Sequence, residues 1–164
     1  YFTPGDLGFP VFDTPLGRVA VLICWDQWFP ETARMAALQG AELVLYPTAI
    51  GRLHGESEKE GLRQVDSWMT VQRGHAVANG LFVAAANRIG LEEPDGPGLA
   101  VHFFGNSFVA GPRGEVLSRA SAEREEILFT RIEPGRVDAT RRAWPFLRDR
   151  RIESYFPLLE RYGR

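Results

Sequence analysis

The 164-residue chain has one thiol available for covalent chemistry, Cys24, inside the stretch RVAVLICWDQWFPE at residues 18–31. An apolar run stops at that cysteine; Trp25 and Asp26 follow it, and then Pro30 and Glu31. The run reads as a strand, and Pro30 with Glu31 reads as the first turn of a helix, so the thiol falls at a strand-to-helix elbow. A nucleophile placed there sits at the carboxyl edge of a sheet, and the backbone N–H of Trp25 is positioned to meet a developing oxyanion. On the residues alone, a structural core thiol remains the alternative.

A thiol reacts as thiolate and needs a base or a cation to form it. His75 lies mid-helix within QRGHAVAN and His102 opens a strand. Neither has a polar third group at a telling spacing, so both are read as structural. Asp26 and Glu31 resemble catalytic acids in type, but their positions suit hydrogen bonding to the backbone at the elbow and the helix start. One cysteine and three scattered histidines form no metal-ligand pattern, and no metal is expected.

The elements that position Cys24 follow from patterning. VFDTPLGRVAVLIC predicts a hairpin that turns at Pro15–Gly17 and leads into a central strand covered on both faces. WFPETARMAALQG predicts a helix ended by Gly40, and AELVLYP a second buried strand closed by Pro47. TAIGRLHGESEKEG reads as a long loop. LRQVDSWMTVQRGHAVANG reads as a helix burying Leu62, Val65, Met69, Gln72 and Ala76 and stopping at Gly80. LFVAAAN is a third apolar strand, and HFFGNSFVAG, EVLSRAS and EEILFTRIE suggest antiparallel strands joined by turns such as GPRG. The tail from Pro134 is arginine-rich, aromatic and partly helical. Together these predict an α/β layered fold.

Composition limits the partners. A formal charge of −2 with 24% charged residues favours neither nucleic acid nor an anionic membrane. No apolar run approaches the roughly 18 residues of a span, and no charged-then-apolar leader opens the chain. A lone cysteine excludes an internal disulfide and fits the reducing cytoplasm.

GRVAVLICWDQWFPETARMAALQGAELVLYPTAIG resembles the nucleophile region of the carbon–nitrogen hydrolase (nitrilase) superfamily. YFTPGDLGFPVFDTPLG, WMTVQRGHAVANGLFVAAANRIG, FFGNSFVAGPRGEV and FLRDRR resemble its N-carbamoylputrescine amidase branch. The resemblance implies an α-β-β-α sandwich in which residues 1–164 are the C-terminal portion of a single domain, incomplete at the N-terminal side. It also implies a Glu–Lys–Glu–Cys constellation with Cys24 as nucleophile and the other three members preceding Tyr1. No metal or organic cofactor is implied, and the partner is a small carbamoyl amine.

Relatives that act on N-carbamoyl amino acids carry arginines just after the cysteine to clamp a carboxylate; here Gln27 and Trp28 stand there, which favours an amine or neutral tail. Trp25, Gln27, Thr48 and Ala49 are expected to bind substrate, with Glu56 and Glu58 as acids for a protonated amine. Two alternatives stand beside this reading: another amidase of the superfamily, of β-ureidopropionase or ω-amidase type, and a non-catalytic assembly module. Strands apolar on both faces, left without the second sheet of the sandwich, predict a homo-oligomer or a complex with the missing N-terminal segment, with Trp144, Phe146, Arg148 and Tyr155 contributing contacts.

Overall fold

The hairpin forms as expected, β1 (Val11–Thr14) turning through Pro15 and Leu16 into β2 (Gly17–Val21). Gly17 takes φ 111°, and the Thr14 hydroxyl donates to its carbonyl at 2.7 Å. A 3-10 turn (Cys24–Trp28), helix α1 (Pro30–Leu38), β3 (Leu43–Pro47) and the short β4 (Gly51–Leu53) follow. Next come α2 (Glu58–Asn79), β5 (Phe82–Ala86), β6 (Leu91–Glu92), β7 (Val101–Phe103), β8 (Phe108–Ala110), β9 (Val116–Arg119) and α3 (Gly135–Ala143). This computed structural model describes residues 3, 5–95 and 98–162, so Tyr1, Phe2 and Pro4 of the YFTPGD motif lie outside the described residues.

The main sheet runs β1-β2-β3-β5-β8-β9, with β2, β3 and β5 parallel and the outer pairs antiparallel. Parallel neighbours require crossovers, which α1 and α2 supply. Both helices pack on one face, where Ala20, Leu22, Val44, Tyr46, Val83, Ala85, Phe108 and Ala110 meet Ala36, Ala37, Trp68, Met69 and Ala76. Trp68 sits edge-on to Phe108 at 5.4 Å between centroids.

The opposite face is open, as expected of strands left without the second sheet of the sandwich. Val21, Leu45, Ala84 and Val109 lie in register across it. Val21 is exposed and the other three are half-buried, while Phe12 and Ile23 extend the same apolar surface into solvent. The reason is topological: both crossover helices fall on the other side, leaving free the face that an α-β-β-α sandwich fills with its second sheet. Phe82 is shielded there, with the Arg136 guanidinium 5.7 Å from its ring centroid.

Four expectations are corrected. The 48–61 segment contains β4, and α2 begins within it because the Ser57 side chain caps it by accepting from the Glu60 N–H at 3.2 Å. Leu62 points outward at 66% exposure, since the buried stripe of α2 runs through Trp68, Met69, Gln72, His75, Ala76 and Asn79. HFFGNSFVAG is broken by left-handed turns at Gly105 and Asn106, so β7 joins β4 and β6 in a separate sheet. EEILFTRIE forms no strand; Ile127 and Phe129 are exposed. Gly80 stops α2 as predicted, at φ 57°.

The tail is partly helical, as expected. Arg141 of α3 donates to Asn79 O at 3.1 Å and Ala41 O at 2.7 Å, fastening α3 to the ends of α2 and of the α1–β3 turn. Trp144, Phe146, Arg148 and Tyr155 are all exposed to some degree. Among the described residues no helix is long and apolar enough to cross a membrane.

Candidate active site

The sheet ladder continues one residue past β2, where Leu22 N–H donates to Leu45 O at 2.9 Å, and then the chain turns sharply. Asp26 closes the elbow reciprocally: its carboxylate accepts from Ile23 N–H at 3.0 Å while its own N–H donates to Ile23 O at 3.2 Å. The structural role expected of Asp26 is the one found. Cys24, the first residue of the turn, takes φ 52°. That left-handed conformation costs a non-glycine residue about 1–2 kcal/mol, and it aims the side chain away from the path a continuing strand would follow.

The Cys24 thiol, half-buried, accepts from Thr48 Oγ1 at 3.6 Å. Thr48 stands just past the carboxyl end of the neighbouring β3, held by its N–H donating to Ala86 O at 2.8 Å. Behind it, Gln27 donates from Nε2 to Thr48 Oγ1 at 3.1 Å and accepts the Trp68 indole N–H at 2.7 Å. Gln27 is fully buried, so the structure places it behind Thr48, away from the expected substrate contact. Thr48 does meet the cysteine, and Ala49 is exposed beside it.

Trp25 is two-thirds exposed and meets Trp28 edge-on at 6.3 Å. Both line a groove of about 500 Å³ whose walls include Leu53, Glu60, Arg63 and Phe104. Of the loop acids, Glu56 is occupied: its carboxylate accepts from Leu53 N–H at 2.8 Å and from the Gln64 amide at 3.2 Å, closing the β4–α2 turn. Glu58 is exposed on the first turn of α2. The acid that reaches the groove is Glu60, 3.5 Å from Arg63.

His75 is buried, with Nδ1 3.0 Å from Tyr46 OH, and burial pulls its pKa down to about 4 against an opposing pull from Glu31. Burial likewise raises the Tyr46 phenol above its ordinary range. His102 is exposed beside Arg52. A second cavity, about 550 Å³, opens between α1, α2 and the tail, with Glu31, Arg34, His75, Asn79 and Tyr155 in its lining.

Sequence reasoning missed Asn87. Its side chain accepts from Ile50 N–H at 2.9 Å and donates to Ile50 O at 3.0 Å and Gly105 O at 3.1 Å, binding together the segments that follow β3, β5 and β7. A polar residue ending the apolar run LFVAAAN was the available signal. The buried indole of Trp68 as a hydrogen-bond donor had none.

A family model described as carbon-nitrogen hydrolase matches residues 1–142. The chain is 45% identical over 166 residues to an N-carbamoylputrescine amidase of Arabidopsis thaliana, covering 99% of this chain and 54% of that protein. Among solved structures, a carbon-nitrogen hydrolase from Helicobacter pylori G27 matches with TM-score 0.95 and 52% identity, over 99% of this chain and 56% of that one. A mutant amidase from Nesterenkonia sp. AN1, bearing a covalent acetamide moiety at its active-site cysteine, matches with TM-score 0.67 and 32% identity, over 93% and 48%. The chain thus spans about half the length of the curated relative and of these structures.

Proposed function

This chain belongs to the carbon–nitrogen hydrolase family, and from that premise we propose that it is the cysteine-bearing portion of a thiol amidohydrolase that cleaves the carbamoyl C–N bond of N-carbamoylputrescine. The observation that carries the reading is the elbow: the lone cysteine, left-handed at the carboxyl edge of the sheet, with a hydroxyl donor at 3.6 Å.

In the proposed reaction the Cys24 thiolate attacks the carbamoyl carbon, and charge develops on the carbamoyl oxygen. The Trp25 N–H, second in the 3-10 turn, lies where a helix start leaves amides without intrahelical partners, which supports it as the donor to that charge. Collapse breaks the C–N bond to the terminal amino group, which leaves as ammonia after taking a proton, and a carbamoyl thioester remains. Water attack on the thioester carbon frees the thiol and yields a carbamate, which loses carbon dioxide to give putrescine. The base and the cation that this requires are assigned, by the family likeness, to a Glu–Lys–Glu set outside these residues; the chain's single lysine, Lys59, is exposed on α2.

The groove beside Trp25 supports an amine tail, because its aromatic walls and the Glu60 carboxylate both attract a protonated amine. Arg63 in the same groove favours the second reading, a substrate ending in a carboxylate, as in a β-ureidopropionase. The lone cysteine supports a cytoplasmic protein, and the open sheet face supports a homo-oligomer.

The test is ammonia release by this chain joined to an N-terminal segment that supplies the glutamate and lysine groups. N-carbamoylputrescine should be turned over, β-ureidopropionate poorly, and Cys24→Ala should return the rate to background. Full activity in Cys24→Ala would end the thiol mechanism. Release of ammonia well above buffer by the 164 residues alone would remove the need for outside groups.

A further inference from the structure

The hydrogen bonds behind Cys24 run in one direction. An indole N–H only donates, so the 2.7 Å bond from Trp68 Nε1 fixes Gln27 Oε1 as acceptor. Both side chains are fully buried, and water does not compete for either. The Gln27 amide is therefore held with Nε2 toward Thr48, donating to Oγ1 at 3.1 Å. With an Oγ1 lone pair so occupied, the Thr48 hydroxyl hydrogen is free to turn to Cys24 Sγ, 3.6 Å away. The flipped amide would set its NH2 against the indole N–H and offer Thr48 an oxygen that competes for this same hydrogen.

We infer that Thr48 is a catalytic hydroxyl that donates to the Cys24 thiolate, and that Gln27 and Trp68 are positioning residues that lock the hydroxyl in its donating orientation. The inference rests on the proposed nucleophilic role of Cys24. Hydrogen bonding to a charged form favours that form, so the relay stabilises the thiolate before attack and each time it is expelled. It takes up no proton, and a separate base is still required. The arrangement also accounts for a buried glutamine in the core side of a substrate-facing turn: its two ends need opposite hydrogen-bonding character, which an amide has and a carboxylate lacks.

Cys24 is the chain's one cysteine, so alkylation by iodoacetamide reports on it alone and needs no turnover. The variants are Thr48→Val, Thr48→Ser, Gln27→Met and the double Thr48→Val/Gln27→Met, each followed by alkylation rate against pH. Thr48→Val should move the midpoint of the profile upward by about one unit, the tenfold effect expected for loss of a hydrogen bond to a charged group. Thr48→Ser, which keeps the hydroxyl, should return the midpoint to within a few tenths of the parent. Gln27→Met should move it upward by less, and the double variant should match Thr48→Val, because the glutamine acts only through the hydroxyl.

An unmoved midpoint in Thr48→Val overturns the proposal, as does a Gln27→Met shift that persists in full without the Thr48 hydroxyl. Should Gln27→Met not fold, the two Thr48 variants decide the matter. If the profile moves as described while the completed protein is inactive on every carbamoyl substrate, the amidase reading fails and the hydroxyl–thiolate contact stands.

Discussion

Lowering the pH from 7 to 5 should weaken the fold by about 2 kcal/mol through one side chain, His75. The imidazole is 3% exposed, bonded at Nδ1 to Tyr46 OH, and burial lowers its pKa to about 4, the Glu31 carboxylate opposing. In the unfolded chain it returns to about 6.5. The folded value is the lower one, so the unfolded state takes up the proton first; the stability is complete above about pH 6.5 and is lost as pH falls toward 4. The limiting loss, below pH 4, is the difference of 6.5 and about 4 at about 1.4 kcal/mol per unit, about 3 kcal/mol. At pH 5 the unfolded imidazole is almost fully protonated and the folded one largely neutral, from which about 2 kcal/mol relative to pH 7 follows. With a urea slope of about 2 kcal/mol/M the midpoint should fall by about 1 M. Urea titrations of the parent and His75→Gln at both pH values isolate this side chain, since every other titrating group is common to the two. If the stability gap between parent and variant is the same at pH 7 and pH 5, His75 is not held neutral by burial and the reasoning is refuted.

Gln27→Arg should destabilise the chain by about 3 kcal/mol or more, by placing an unpaired guanidinium in the fully buried Gln27 site; a Tm equal to the parent's, with substrate preference moved toward carboxylates, would show that the position faces the substrate instead. Arg141→Ala removes the donors to Asn79 O and Ala41 O and should cost about 2–3 kcal/mol in urea denaturation, detaching α3 first. Ser57→Ala should cost about 1 kcal/mol through the lost cap of α2, read the same way. Sedimentation velocity should show association through the open sheet face, and a dilution-resistant monomer that binds no hydrophobic dye would contradict it.

The elements around Cys24 were legible because each carries its own local signal: Pro30 at a helix start, Gly80 at a helix end, Pro15–Gly17 between two strands. The carbon–nitrogen hydrolase family was legible from the motifs around the cysteine. The cover of the sheet was not, because an apolar strand records that its faces avoid water somewhere and does not record what covers them. Ile127 and Phe129 looked like strand residues for a related reason: propensity names a conformation, and a strand also needs a neighbour with free backbone groups. At the site, the place of Thr48 just past an apolar strand was readable from the sequence, and there it stands 3.6 Å from Cys24 Sγ. The burial of Gln27 and its bond to Trp68 were not predictable, since residues 27 and 68 meet only once α2 has packed against the turn.

The left-handed backbone of Cys24 bears on how such a chain changes when its chemistry is no longer needed. At φ 52° a glycine is at ease and any side chain with a Cβ is strained. If Cys24 is the proposed nucleophile, retaining cysteine there lowers stability in return for reactivity, so the two selective pressures oppose each other at this one codon. A copy released from turnover should gain stability by losing its thiol to glycine. Descendants of this architecture that serve only as scaffolds should therefore carry glycine at the elbow more often than alanine or serine, and the residue found at position 24 becomes a record of whether a given copy still does chemistry.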